Sequence, residues 1–238
     1  MAAGPRLEID IAQKRYPGQE TSVFEGLRLA VEPGTTVALV GPSGVGKSTL
    51  LRMIGGIDTD FAGHIAIDGI EAARAPAAGY VFQDPRLLPW LTAERNITEL
   101  VPMATPDIAR AALARVGLER HAGSFPHQLS GGMQRRVALA RALAVNSKVL
   151  LLDEPFVSLD RDLVAGLQRL VRDLLHETGG TTLIVTHVHD DAVRLADRAV
   201  LLGGHPAAIA ADLTFAIPPA QRTPVDFGNY LGLLAEIS

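Results

Sequence analysis

The chain has 238 residues, enough for one large domain or for a core with a smaller subdomain. Its 22 basic and 26 acidic side chains give a formal charge of −4, so composition does not favour a broad basic surface for nucleic acid. The lack of cysteine excludes disulfides and thiolate metal sites and fits a reducing compartment. No apolar run approaches the roughly 20 residues of a membrane span, and no secretory signal is visible. If the protein works at a membrane, we expect another chain to span it.

The first predicted elements are strands. Apolar and charged residues alternate at 7–11 and again at 27–32, which is the period of half-buried strands. Short, nearly unbroken apolar runs follow at 35–40, 148–153 and 181–186, as expected of parallel strands covered on both faces. The sequence therefore predicts an α/β core.

A glycine-rich turn between an apolar strand and a helix is predicted by VALVGPSGVGKSTLL at 37–51, the arrangement of a phosphate-binding loop. Its glycines let backbone N–H groups point at an anion, and the helix N-terminus adds positive potential. We expect Lys47 to reach the β- and γ-phosphates and the Ser48 hydroxyl to ligate Mg²⁺. The alternative is a glycine turn whose lysine is solvated, and Thr49 is excluded from the catalytic set as a residue of the helix interior. The predicted nucleotide contacts are Gly41, Pro42, Ser43, Gly44, Val45, Gly46, Lys47, Ser48 and Thr49.

Two carboxylates end the apolar run VLLLDEP at 149–155. Unpaired buried charge is costly, and a metal ion explains its presence. Because side chains alternate along a strand, Asp153 and Glu154 are expected to have different roles. Asp153 is predicted to hold Mg²⁺ through its water shell, and Glu154 to orient and polarise an attacking water. The alternative is an acid pair that caps the next turn.

Two other polar residues end predicted strands. His187 follows TTLIVT, and since ligands gather at the carboxyl ends of parallel strands, we expect it in the same crevice, holding the γ-phosphate and the attacking water. Gln83 ends AAGYVFQ at 77–83, where an amide can touch the Mg²⁺ shell and sense movement of the segment that follows. The alternatives are a structural histidine and a strand-capping amide. The remaining histidines are interpreted as surface or packing residues: His64, His121, His127, His176, His189 and His205.

Helical patterns such as 105–118 dominate between Pro85 and Val145, which predicts a helical subdomain inserted into the connectivity of the sheet. Glycines and a proline at 203–206 interrupt the chain late, and a short helix is predicted at 230–238. The predicted organisation is a single domain over 1–238, with a core of about 1–83 and 146–211, a helical subdomain of about 84–145 and a tail of about 212–238.

A second glycine pair opens a predicted helix in HQLSGGMQRRVALARAL at 127–143. Ser130 is a good N-cap, and Gly131 and Gly132 leave the next N–H groups open to a phosphate. The alternative is a flexible helix start. The predicted helix has an apolar face at helical spacing, formed by Met133, Val137, Ala140 and Ala144.

Together these motifs resemble the ATP-binding subunits of ABC transporters over nearly the whole chain. The matching Walker A loop, Q-loop, signature, Walker B segment, D-loop and switch histidine are, in order, GPSGVGKST (41–49), VFQ (81–83), LSGGM (129–133), VLLLDEP (149–155), SLD (158–160) and VTH (185–187). KRYP (14–17) is similar to the adenine-stacking segment, with Tyr16 as the aromatic residue. The resemblance implies a P-loop NTPase core of the RecA type, an antiparallel β subdomain and an inserted α-helical subdomain. The implied cofactors are ATP and Mg²⁺.

The resemblance also implies partners. Ser130, Gly131 and Gly132 are expected to grip the γ-phosphate of the nucleotide held by a second copy or a related ATPase, in a head-to-tail dimer. Membrane permease subunits and a separate solute-binding protein are further implied partners, nucleic acid is not, and the location is the cytoplasmic face of the cell membrane. Met133 and Arg135 stand where glutamine is more usual, and Asp191 where glutamate is, with little consequence expected.

The stretch QDPRLLPWLTAERNI at 83–97 resembles the nitrate, sulfonate and taurine importer group, in which it lies near the coupling helix of the membrane subunit. Trp90, the one tryptophan, follows Leu87, Leu88 and Pro89, and such an apolar cluster suits a partner interface. The alternative is ordinary packing within the helical subdomain. LLGGHPAAI (201–209) resembles the same group.

The implied function is a motor ATPase that drives a separate permease, for import of nitrate, sulfonate, taurine or a related small solute. An exporter ATPase is an alternative, because the motor chemistry is shared. An alternative from another class is a DNA-maintenance ATPase, but such proteins need long coiled coils and the sequence has no sustained heptads. A translation-type ATPase resembles two fused copies, and this chain contains one.

Overall fold

A computed structural model of the chain describes residues 4–157 and 161–237, without the side chains of 161–163. The SLD segment at 158–160, predicted to be the D-loop, lies outside the described residues. Within them the strands are β1 (Leu7–Lys14), β2 (Phe24–Val31), β3 (Thr36–Val40), β4 (Ala62–Ile67), β5 (Ile70–Glu71), β6 (Gly79–Val81), β7 (Val149–Asp153), β8 (Thr181–Thr186), β9 (Arg198–Gly203) and β10 (Ala208–Thr214).

These strands form two sheets. A four-stranded antiparallel sheet has the order β2-β1-β4-β5, and a six-stranded sheet has the order β10-β9-β3-β8-β7-β6. In the larger sheet all neighbours are parallel except the edge strand β10. Val40 pairs with Thr186 and Asp153 pairs with Val185, so the carboxyl ends of β3, β8 and β7 lie side by side. This edge is where the predicted site residues meet.

The burial of β1, β3 and β8 follows their sequence patterns. Residues of β1 alternate between buried and exposed over most of its length, whereas every residue of β3 and β8 is buried. The predicted α/β core is therefore confirmed. The strand predicted at 77–83 is wrong in its bounds, because β6 has three residues and Gln83 lies two positions beyond it.

The helices of the described residues are α1 (Lys47–Ile54), α2 (Arg95–Thr98), α3 (Pro106–Arg115), α4 (Gly131–Ala144), α5 (Arg161–Thr178), α6 (His189–Leu195) and α7 (Pro224–Glu236). The helices predicted between Pro85 and Val145 are present as α2 to α4. The terminal helix is longer than the sequence predicted, since it begins at Pro224 rather than near 230. Thr223 caps it and exchanges hydrogen bonds with Asp226, a capping box that extends the helix toward the N-terminus.

Three apolar clusters hold these layers together. The first packs the antiparallel sheet and α1 against the parallel sheet, the second packs α3, α4 and α5 against the parallel sheet, and the third joins α6 and α7 to β3 and β9. No helix in the described ranges is both long enough and apolar enough to cross a membrane.

Candidate nucleotide-binding site

The glycine-rich loop joins β3 to α1 along a path that requires glycine. Gly46 has a φ of 111°, and a Cβ there would lie 2.7 Å from Val23 Cγ1. At Gly41 a Cβ would lie 2.4 Å from the carbonyl oxygen of Leu202. A side chain at either position would therefore displace the loop or its neighbours.

The loop borders a cavity of about 290 Å³. Residues from four separately identified motifs meet there, as the sequence analysis predicted. Gln83 is exposed in its wall despite lying beyond β6. The lining residues are Ser43, Gly44, Gly46, Lys47, Ser48, Thr49, Gln83, Glu154 and His187.

Three loop residues predicted to contact nucleotide lie outside this lining in the described part of the chain. Gly41 and Pro42 line an adjoining cavity of about 530 Å³, together with Ser43 and His187. Val45 is 1% exposed and packs into the first apolar cluster, so its side chain faces away from the cavity. Only the backbone of Val45 is available for an anion contact.

Lys47 is the buried cation of the site. Its Nζ donates to the carbonyl oxygens of Gly41 at 2.7 Å and Pro42 at 2.9 Å, and lies 3.9 Å from Glu154 Oε1. Burial lowers the pKa of Lys47, and the charges of Glu154 and Asp153 oppose that shift. The ammonium group of Lys47 therefore lies beside the loop backbone, where it would attract an anionic group bound by the loop.

Ser48 and Asp153 bring two hard oxygen ligands together. Ser48 Oγ donates to Asp153 Oδ1 at 2.7 Å, and Asp153 is 5% exposed. Burial raises the pKa of the Asp153 carboxyl, while the Ser48 hydrogen bond lowers it. A divalent cation would offset this buried charge, and one carboxylate with one hydroxyl suits Mg²⁺, which retains water and phosphate ligands. No group of three His, Cys, Asp or Glu side chains arranged for a metal occurs among the described residues.

Glu154 and His187 form the central polar pair. Glu154 Oε2 lies 2.8 Å from His187 Nδ1; Glu154 is buried, whereas the His187 side chain is 44% exposed. Glu154 has a φ of 47°, unusual for a residue with a Cβ, and its N–H donates to Val185 O at 3.0 Å. It follows β7 rather than extending it, so this turn directs Glu154 away from Asp153. Of the other histidines, His189 is partly buried and the rest are exposed: His64, His121, His127, His176 and His205.

A buried network next to His187 was missed by the sequence analysis. Asp191 is 4% exposed; its Oδ1 accepts from Gln168 Nε2 at 2.7 Å and its Oδ2 from Thr186 Oγ1 at 2.8 Å. The Thr186 hydroxyl in turn accepts from Val188 N at 3.0 Å. Burial raises the pKa of Asp191, and the Thr186 and Gln168 hydrogen bonds lower it. These bonds fix the backbone on both sides of His187. The sequence analysis noted only that Asp191 stands where glutamate is more usual, which gave no reason to expect this role.

Tyr16 lies beside α1, outside the lining described for the 290 Å³ cavity. Its hydroxyl is 3.1 Å from Thr49 Oγ1, accepts from Arg52 at 3.1 Å and donates to Asp58 at 3.2 Å. Lys14 Nζ lies 4.5 Å from the centre of its ring. The aromatic residue is thus held next to the helix that carries the loop, and its stacking on adenine stays a prediction.

The second glycine pair forms the predicted helix start. Ser130 has extended dihedral angles and its Oγ accepts from Met133 N at 3.3 Å, which confirms the N-cap of α4. Ser130 and Gly131 are exposed, and a Cβ built at Gly131 meets nothing within 4 Å. In the described residues none of the pair lines the cavity of the first loop. Binding of this helix start to the phosphate of a nucleotide held by another chain stays a prediction.

Arg135 on α4 is a second residue whose role the sequence did not reveal. Its guanidinium donates to the carbonyl oxygens of Glu154 at 3.5 Å, Pro155 at 3.3 Å and Val157. It ties the helical subdomain to the segment that follows the central acid. The sequence signal was its departure from glutamine, for which little consequence was expected.

The loop at 87–92 displays its tryptophan. Trp90 is 68% exposed, so internal packing does not account for it, while Leu87 packs against the second apolar cluster. Asn96 is fully buried; it accepts from Leu88 N at 2.7 Å and donates to the carbonyl oxygens of Leu88, Leu91 and Thr92 at 3.0 to 3.1 Å. This asparagine fixes the loop from inside.

Comparison with known proteins gives a consistent result. A family model described as ABC transporter matches residues 24–157. An aliphatic sulfonates import ATP-binding protein of Xanthomonas axonopodis pv. citri is 43% identical over 91% of this chain and 88% of its own length. A nitrate import ATP-binding protein of Synechocystis sp. is 39% identical over 98% of this chain and 37% of its own length.

A solved ATP-binding cassette, described as a dimer in a post-hydrolysis state bound to ADP and Pi, superposes with a TM-score of 0.77 and 31% identity. The match covers 87% of this chain and 98% of that one. The P-loop NTPase fold is thereby confirmed. The chain therefore belongs to the ABC transporter family, among its ATP-binding cassettes.

Proposed function

We propose that this ATPase powers an importer whose solute is nitrate, an aliphatic sulfonate such as taurine, or a related small solute. One observation carries the proposal of ATP hydrolysis: Glu154, His187 and Lys47 line the same cavity. Glu154 lies 3.9 Å from Lys47 Nζ and 2.8 Å from His187 Nδ1. The sulfonate and nitrate import relatives support the solute class. Their names also favour import over the export alternative.

The nucleotide phosphates would occupy the glycine-rich loop. Lys47 would then exchange its two carbonyl partners for phosphate oxygens, since charged acceptors make stronger hydrogen bonds. Glu154 would take up hydrogen bonding to a water aligned with the γ-phosphate and polarise it. His187, held by Glu154 and by the Thr186 and Asp191 bonds, would keep that water and the phosphate in line.

Mg²⁺ would be held by Ser48 and Asp153, with Gln83 touching its water shell. When bound, the cation supplies charge neutralisation at the β- and γ-phosphates. Asp153 accepts a hydrogen bond from the Ser48 hydroxyl at 2.7 Å, so these two oxygens are close enough to bind one cation. Gln83 is exposed between β6 and the helical subdomain, so its amide is suited to respond both to the Mg²⁺ shell and to movement of that subdomain.

A second copy or a related ATPase would complete each site. The start of α4 supports this arrangement because Ser130 and Gly131 are exposed there, and among the described residues none of Ser130, Gly131 and Gly132 lines the chain's own loop cavity. The solved relative described as a dimer supports it as well. Closure on nucleotide would bury both helix starts against phosphate.

Permease subunits would dock on the Trp90 loop at the cytoplasmic face of the cell membrane, where this chain would be peripheral. Exposure of a large aromatic on a loop fixed by Asn96 supports that role. A separate solute-binding protein would deliver the solute from the other side, and no nucleic-acid partner is proposed.

The test is ATP hydrolysis by the chain assembled with a co-expressed permease and its solute-binding protein in vesicles. We expect an alkanesulfonate to stimulate hydrolysis and to be taken up. Trp90→Ala should reduce this stimulation more than it reduces hydrolysis by the isolated chain, whereas the exposed-residue control Ile57→Ala should not. Stimulation by none of alkanesulfonate, taurine and nitrate would contradict the proposed solute class. Release of preloaded solute in place of uptake would favour the exporter.

A further inference from the structure

A second cavity, of about 560 Å³, lies between α5, α6 and the start of α7. Its most distinctive feature is charge: four arginines line it, and no carboxylate does among the described residues around it. No residue of the glycine-rich loop at 41–49 is among the described residues that line this cavity. The arginines are Arg169, Arg172, Arg194 and Arg222.

Only part of this charge is neutralised nearby. Arg194 pairs with Asp190 at 2.5 Å and Arg172 with Asp173 at 3.2 Å. Arg169 donates to the carbonyl oxygen of Ala165 at 3.3 Å. Among the described side chains, no carboxylate lies within ion-pair distance of Arg169.

Arg222 is also held by carbonyl oxygens rather than by a carboxylate. It donates to Ile217 and Ala196 at 2.8 Å each, and to Val193. Burial lowers the pKa of Arg222, and the charge of Asp197 opposes that shift at longer range. Since arginine remains protonated at neutral pH, the cavity retains a net positive charge.

Aromatic rings hold two of the four arginines in place. Arg194 stacks over the ring of Phe227 at 4.4 Å and Arg222 over that of Phe215 at 4.5 Å. Arg169 and Arg172 are three residues apart and share a face of α5. Apolar walls lie between the charges, formed by Val193, Leu195, Pro219 and Phe227. Such walls suit an anion that carries an alkyl group.

Hydrogen bonds connect this cavity to the catalytic site. Gln168 lines it and donates to Asp191 at 2.7 Å and to Asp190 at 3.5 Å. Asp191 accepts from Thr186, the residue before His187. An anion that draws Arg194 away from Asp190 would therefore disturb the contacts that hold His187.

We propose that this arginine-lined cavity binds a small oxyanion, such as a sulfonate or sulfate, and that its occupancy alters ATP hydrolysis through Gln168 and Asp191. The inference concerns a site outside the ATP cavity. Binding to it is measured without turnover, so a failure here is distinct from a failure of the proposed transport function.

The binding test is calorimetry with hexanesulfonate, sulfate or inorganic phosphate on the full chain carrying Lys47→Ala, which weakens anion binding at the nucleotide loop. We expect binding of one anion per chain, weakened at least about tenfold by Arg169→Gln/Arg172→Gln and partly restored by Arg169→Lys/Arg172→Lys. The matched control is Arg28→Gln/Arg74→Gln, whose side chains are 80% and 82% exposed. Equal affinity for sulfate and hexanesulfonate would mean that the site recognises the oxyanion group alone, and would overturn a role of the apolar walls in binding an alkyl group. Absence of binding, or binding unchanged in the Gln/Gln variant while its thermal unfolding is unaltered, would overturn the site.

The coupling test is steady-state ATP hydrolysis by the chain with intact Lys47. We expect the bound anion to change kcat at saturating ATP, and the change to disappear in Arg169→Gln/Arg172→Gln. An anion that competes at the nucleotide loop would instead raise KM alone. Binding with no change in kcat would overturn the proposed coupling.

Discussion

Glu154 is buried between two ionisable side chains, Lys47 and His187. Its backbone has a conformation that few residues other than glycine adopt. Its φ of 47° carries a cost of about 1–3 kcal/mol, which the surrounding sheet must offset. The hydrogen bond from its N–H to Val185 and the contacts of Arg135 with its carbonyl oxygen maintain this turn. The conformation places the carboxylate between Lys47 and His187.

Glu154→Gln is expected to lower kcat for ATP by about 100-fold or more, because an amide cannot polarise water as a carboxylate does. Affinity for ATP should change little, since the amide has nearly the same shape and can still bond His187. Single-turnover hydrolysis and equilibrium nucleotide binding measure the two effects. Glu99→Gln, at an exposed position, is the control. Retained turnover in the Glu154 variant would remove the assigned role.

Asp153→Asn is expected to raise the thermal stability of the nucleotide-free chain. Burial raises the pKa of Asp153 in the fold, so its ionised form destabilises the fold above the unfolded pKa, most fully above the folded pKa. The gain should therefore be larger at pH 8 than at pH 4, which is close to the ordinary pKa of 3.8. Thermal unfolding at both pH values measures it, and the variant should lose the stabilisation that Mg-ATP gives. A lower melting temperature at pH 8 would contradict this account.

At the scale of elements, β1, β2, β3, β7 and β8 were predictable because their burial follows local sequence patterns, whereas β4, β5, β9 and β10 were not predicted. β6 was predicted too long, since a strand of three residues gives too short a pattern to bound. The extension of α7 to Pro224 depends on the Thr223 capping box, a local signal that the apolar pattern near 230 obscured.

The part of the site that could be predicted consists of residues that lie in contiguous sequence motifs. The loop, the acid pair and His187 lie within short segments whose chemistry limits their role. Gln168 acts on residues more than twenty positions away, and Arg135 on a carbonyl oxygen 19 positions away. Such contacts depend on how α4 and α5 pack on the sheet, which no local pattern specifies.

The loop that carries Trp90 depends on one buried side chain. Asn96→Ala would leave the N–H of Leu88 and several carbonyl oxygens without their partner, at an expected cost of about 2–3 kcal/mol in the free energy of unfolding. Urea unfolding of the isolated chain measures it. Trp90→Ala, at an exposed position of the same loop, should change stability by less than about 0.5 kcal/mol. Equal costs for the two variants would contradict the anchoring role of Asn96.

At the scale of the whole molecule, the two glycine segments have different surroundings. The first borders the chain's own cavity, while Ser130 and Gly131 face solvent at the start of α4. Within the described residues, a single chain therefore presents its phosphate loop and the start of α4 at separate places. Two chains arranged head to tail would supply each ATP with both.

The most direct measurement is the mass of Glu154→Gln protein by light scattering, with and without Mg-ATP, beside the same protein carrying Ser130→Arg. The account predicts that ATP doubles the mass and that Ser130→Arg abolishes the doubling, because arginine removes the cap and fills the space for phosphate. A mass that stays monomeric with Mg-ATP, or doubling that survives Ser130→Arg, would contradict a site shared between two chains.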